Sequence, residues 1–105
     1  MFTPTPQFPD FTISDPAGDF RAAQRIEQYR LGAEALYLPV GLRWHYIPLS
    51  AVEKAEKAHR VISAGHCVTV REERPALRLE TRGGPVLLNL EKAASLPRLL
   101  EALGK

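Results

Sequence analysis

His59, His66 and Cys67 are the nearest approach in this chain to a metal-ligand set, because imidazole nitrogen and thiolate sulfur are donors that zinc prefers. His66 and Cys67 are adjacent, however, and adjacent residues of an extended segment point to opposite faces, so both cannot easily reach one ion. Ser63 and His66 have the types of a nucleophile and its base, but no carboxylate orienter and no oxyanion-hole turn accompanies them. Ser63 is therefore read as a loop serine and His66 as a surface histidine. Gly83 and Gly84 are not followed by the Lys and Ser/Thr that a phosphate loop needs. Cys67 is the single cysteine, which excludes an intramolecular disulfide and a thiolate-rich metal site; it reads as a small half-buried residue beside Val68. The expectation is a protein with no catalytic group, no cofactor and no metal.

The residues left with binding chemistry are aromatic. Trp44, His45 and Tyr46 are consecutive and could form a contact surface, since Trp and Tyr are over-represented where interfaces concentrate their energy. The competing and commoner reading packs Trp44 and Tyr46 into the core. Phe2, Phe8 and Phe11, with Ile13, give an apolar character to an N-terminal stretch whose prolines oppose regular structure. Such side chains should not stay in water, so the stretch is expected to lie as an extended strip on the domain's own sheet or on a neighbouring molecule, covering a strand edge.

Composition bounds the rest. A chain of 105 residues with 45% hydrophobic and 25% charged residues fits one soluble globular domain. The net charge of +2 is too small to make nucleic acid the main partner, and the basic residues are interleaved with acids, as in Arg71, Glu72, Glu73 and Arg74. The apolar runs are of strand length, so no transmembrane segment is expected. The first residues lack the charged and apolar regions of a signal peptide, and a cytoplasmic location is expected by default.

Residues 1–18 read as a proline-rich irregular arm and 19–105 as the globular domain. Asp19 is expected to cap a short helical turn, followed by strands over 26–31, 35–40 and 43–49, with Trp44 and Tyr46 on one face and His45, Ile47 and Leu49 on the other. Residues 50–62 are ambiguous. Ser50 and Glu53 make a capping box, and Val52, Ala55, Ala58 or His59, and Ile62 share a helical stripe, so the local pattern favours helix; as part of a meander the same segment would be a strand. A short strand over 66–70 and a charged loop over 71–75 come next. Leu77, Leu79 and Thr81 then alternate with Arg78, Glu80 and Arg82, Gly83 and Gly84 supply positive-φ positions for a tight hairpin, and Val86, Leu88 and Leu90 resume the alternation. Leu96, Leu99, Leu100 and Leu103 form one helical stripe stopped by Gly104, with Pro97 either in the first turn of a helix capped by Ser95 or kinking a helix from Glu91.

A strand meander, a second antiparallel set and a closing amphipathic helix is the layout of the pleckstrin-homology-like (PH-like) fold. The stretch from Tyr29 through Pro39 to Ser50, with residues 77–80, Glu91, Lys92 and the final leucines, resembles small uncharacterised bacterial proteins of that superfamily over residues 26–103. The resemblance implies an α+β antiparallel sandwich or barrel capped by the C-terminal helix, and it implies that 50–62 is a strand. It also implies a non-enzymatic protein-interaction or scaffolding domain, acting on a protein partner or on its own copy. Phosphoinositide-binding members gather Lys and Arg around the first loop, whereas here that loop is Gly32, Ala33 and Glu34 with only Arg30 beside it. Phosphoinositide binding is accordingly disfavoured. The alternative is a small-ligand or enzymatic domain with a pocket inside the sandwich, which would need polar residues at inward positions where this chain has Leu, Val, Ile and Ala.

Overall fold

The computed structural model describes residues 3–63 and 71–104, with the backbone alone for 59–63 and 71–73. One sheet holds β1 (Thr5–Pro6), β2 (Gln24–Ile26), β3 (Tyr29–Leu31), β4 (Ala35–Val40) and β5 (Arg43–Pro48), in the spatial order β1-β5-β4-β3-β2. Strands β2 to β5 form an antiparallel meander, and β1 joins the outer side of β5 in parallel. A 3-10 turn over Leu49–Ala51 leads into the second sheet, which is antiparallel and ordered β6 (Val52–Ser63), β7 (Arg71–Thr81) and β8 (Gly84–Asn89). Helix α1 (Pro16–Ala22) precedes the first sheet and α2 (Ser95–Leu103) ends the chain. The class is α+β as expected, but the two sheets do not close into a barrel.

The main core lies between the sheets and under α2. Ile26, Leu31, Leu36 and Ile47 of the first sheet meet Val52, Leu77, Leu79 and Leu88 of the second, and Leu96, Leu99 and Leu103 come down from the helix. Each such side chain contributes about 1.5–3 kcal/mol when fully removed from water. A second core covers the other face of the first sheet, where Phe20 of α1 packs on Ala35, Tyr37 and Tyr46. The alternation expected in β5 holds: Tyr46 enters this second core and Ile47 the first.

Residues 50–62 are not a helix. After the 3-10 turn they run as β6, paired with β7 from Val52 opposite Thr81 to Ser63 opposite Arg71. A bulge between Val52 and Lys54 inserts one extra residue, which lets Val52 and Ala55 both meet the core although they stand three apart, the spacing of a helix face. Residues 71–75 are not a loop either, because they continue β7 alongside β6 beyond the end of β8. The span 26–31 is two strands joined by a tight turn at Glu27 and Gln28, with Glu27 at φ 53°.

The arm is more regular than its prolines suggested. Pro6 sits in β1 and Pro16 opens α1, where a missing N–H costs little. Asp15, not Asp19, caps that helix by accepting from Gly18 N at 3.0 Å. Helix α2 begins at Ser95 with Pro97 in its first turn; its cap position is Ala94, which makes no side-chain bond. Leu100 is half-buried at the margin of the core while Leu96, Leu99 and Leu103 are buried. In the β7–β8 hairpin the positive φ falls on Gly84 alone. The expected strand over 66–70 lies outside the described residues.

Candidate interaction surfaces

Asp19 organises the loop between β3 and β4. Its carboxylate accepts from Ala33 N at 3.0 Å, Glu34 N at 3.3 Å, Ala35 N at 3.2 Å and the Tyr37 hydroxyl at 2.7 Å. The approach depends on Gly32, since a Cβ there would stand 2.1 Å from Asp19 Oδ2. Burial, then the bond to Asp19, pushes the Tyr37 phenol well above its ordinary range. The amides that a loop in this place would offer to an anionic ligand are thus turned inward onto the protein's own carboxylate.

The aromatic residues are mostly spent on packing. Phe20 meets Tyr37 edge-on with centroids 5.1 Å apart and Trp44 at the same 5.1 Å, and the Arg30 guanidinium lies 4.7 Å above the Phe20 ring and 5.7 Å from that of Trp44. Tyr46 is only 2% exposed, and its hydroxyl accepts from Ile13 N at 3.3 Å, so it offers no surface. Trp44 is half-buried beside it. His45 points to the opposite face, where its Nδ1 is 2.8 Å from Gln7 Oε1 of the arm.

The arm is fastened to the sheet and turns back on itself. Gln7 N donates to Tyr46 O at 2.9 Å, extending the β1–β5 pairing, and Phe11 N donates to Phe8 O at 3.0 Å in a turn. Phe8 packs on the main core with its ring in the space where a Gly83 side chain would be: an added Cβ would stand 2.3 Å from the ring. Only glycine fits there. Phe8 and Phe11 are half-buried against the same molecule, and Phe2 lies outside the described residues.

Sheet edges are then the backbone surfaces that remain. The edge of β5 carries β1, and β2 is three residues long. On β8, Pro85 has no N–H, and Asn89 O accepts from Gln28 Nε2 at 3.0 Å and the Tyr29 hydroxyl at 2.9 Å. That edge is blunted at both ends. Strand β6 differs: it is 12 residues long and, among the described residues, pairs with β7 alone. Its side chains include Lys54 and Glu56, which are 2.5 Å apart, a contact that raises the Lys54 ammonium and lowers the Glu56 carboxyl. Sequence reasoning missed this edge because the charged and alanine residues of 53–58 match a helix surface as well as a strand.

No group of three or more His, Cys, Asp or Glu able to hold a metal occurs among the described residues. His66 and Cys67 fall outside them, and of Ser63 and His59 only the backbone, in β6, is described. The space between the sheets is filled by apolar side chains. A cleft of about 320 Å³ on the surface is lined by Ile13, Ser14, Ala33, Glu34, Leu49 and Ser50. Among the described residues no helix is long and apolar enough to cross a membrane. No protein-family model, curated protein or solved structure matches the chain.

Proposed function

We propose that this chain is a non-enzymatic interaction domain of PH-like type that takes another polypeptide strand on the free edge of β6. The observation that carries the reading is the contrast between edges: β5 and β8 are covered or blunted while β6 offers a 12-residue ladder with one side unpaired among the described residues. Main-chain hydrogen bonds to such an edge give affinity, and side chains flanking it give selectivity. The PH-like assignment is supported by the four-strand meander, the three-strand second sheet and the closing helix. Phosphoinositide as the ligand is disfavoured by the engagement of the Ala33, Glu34 and Ala35 amides with Asp19.

A photo-crosslinking amino acid in place of Lys57, within β6, tests the reading against the same group in place of Leu87, on the blunted β8. The chain is irradiated alone and in lysate of its native cells. Adducts at position 57 and not at 87, whether with its own copies or another protein, are expected. Absence of any adduct at 57, or equal yields at both, overturns the proposal.

A further inference from the structure

We infer that the strand β6 receives is β6 of a second copy of this chain, paired antiparallel about a two-fold axis at Ala55; the inference rests on the edge reading above. The hydrogen-bond phase of the second sheet sets the possibilities. Leu90 N donates to Pro75 O at 3.1 Å, and Arg82 N to Ala51 O at 3.0 Å, so odd-numbered residues of β7 face β8 and even-numbered ones face β6. The partners of Glu80 and Arg78 are Lys54 and Glu56, whose main-chain groups are therefore committed to β7. The N–H and C=O of Ala55 and Lys57 point to the open side.

A two-fold perpendicular to the sheet pairs side chains on the same face, so the axis must pass through a residue. At Lys54 or Glu56 it would set each charge against its own copy. At Lys57 it would oppose two ammonium groups. At Ala55 it places two small side chains together, lets the Ala55 N–H and C=O bond reciprocally across the axis, and sets Lys54 of each copy opposite Glu56 of the other. Within one chain Lys54 already stands opposite Glu80, and Glu56 opposite Arg78. Across the axis the row would read Arg78, Glu56, Lys54, Glu80, with the sign alternating at every strand. Opposed cross-strand charges favour a pairing and like charges disfavour it. This register is self-complementary.

Sedimentation velocity on the full chain across concentration gives the test. A concentration-dependent dimer is expected. Ala55→Pro removes an outward donor and no bond to β7, so it should abolish the dimer while circular dichroism stays that of the parent. Lys54→Glu and Glu56→Lys should each weaken it about tenfold or more, since each places like charges in both rows. An equimolar mixture of those two variants should restore the dimer, because every pair across the axis is then opposite in sign. A chain monomeric at all concentrations, a dimer that survives Ala55→Pro, or a mixture no tighter than its components overturns the inference. Adducts at position 57 with a different protein would leave the edge reading standing in each of those cases.

Discussion

The Tyr37 hydroxyl donates a 2.7 Å hydrogen bond to Asp19 Oδ2, joining the middle of the first sheet to the helix that covers it. The same carboxylate holds the loop before β4, so one side chain fixes the relative position of α1, β3 and β4. Asp19→Ala removes the acceptor from a half-buried set of donors and should cost about 2–4 kcal/mol, whereas Asp19→Asn, which keeps one oxygen, should cost less. Urea denaturation of the two variants checks the order.

Alkaline stability should depend on Tyr37. Its phenol titrates higher in the folded chain than in the unfolded one, mainly through burial and then through Asp19, so its contribution is intact below the ordinary phenol range and falls as pH rises beyond it. Tyr37→Phe should be less stable near neutrality by about 1 kcal/mol and lose less stability above about pH 10. Parallel unfolding curves of parent and variant across that range would contradict this.

Phe8 and Gly83 should behave as one unit. Gly83→Ala forces the ring out and should cost about 1–3 kcal/mol, the usual penalty of overpacking. In the Phe8→Ala background that cost should largely vanish, as a double-mutant cycle would reveal. Additive effects would mean that the ring does not occupy this space in solution.

Removal of residues 1–11 takes away β1, Phe8 and the Phe8–Phe11 turn but leaves α1 intact. The melting temperature should fall by roughly 4–8 °C for each kcal/mol lost, and amide exchange at the β5 edge should quicken. Unchanged melting and exchange would make the segment a mere tail.

Leu79→Ala and Leu99→Ala, at fully buried positions, should each cost about 2–5 kcal/mol. Leu87→Ser, at a position 54% exposed, should stay within about 0.5 kcal/mol. Chemical denaturation distinguishes the two classes.

The parts of this fold that were legible in the sequence are those where local pattern and tertiary demand agree. The β7–β8 hairpin followed from the alternation of Leu77 and Leu79 with Arg78 and Glu80 and from the spacing of Val86, Leu88 and Leu90, and α2 from its leucine spacing. Residues 50–62 were misleading for an identifiable reason: the bulge shifts the phase of β6, so that a strand buries residues at helical spacing. The tight turn at Glu27 carries no glycine; its positive φ is tolerated while the Glu27 carboxylate accepts from Glu91 N at 2.7 Å and Lys92 N at 3.3 Å, partners far away in sequence. For the candidate site the gap was wider. Of the aromatic and arm residues weighed as a surface, Tyr46 is buried in the second core, Trp44 is half-buried there and Phe8 is half-buried against the main core, and an unpaired edge is a property of topology, which no local pattern encodes.

The fastening of the Glu27 turn by Glu91 and Lys92 also bears on how the protein is made. A chain synthesised from its N-terminus presents Ile26, Tyr29 and Leu31 long before Leu96, Leu99 and Leu103 exist to cover them. The first meander therefore has an adhesive surface until α2 covers it, and the native state can lock only once residues 91–103 have been made. Chains cut short before Leu96 would expose that surface and be prone to clump.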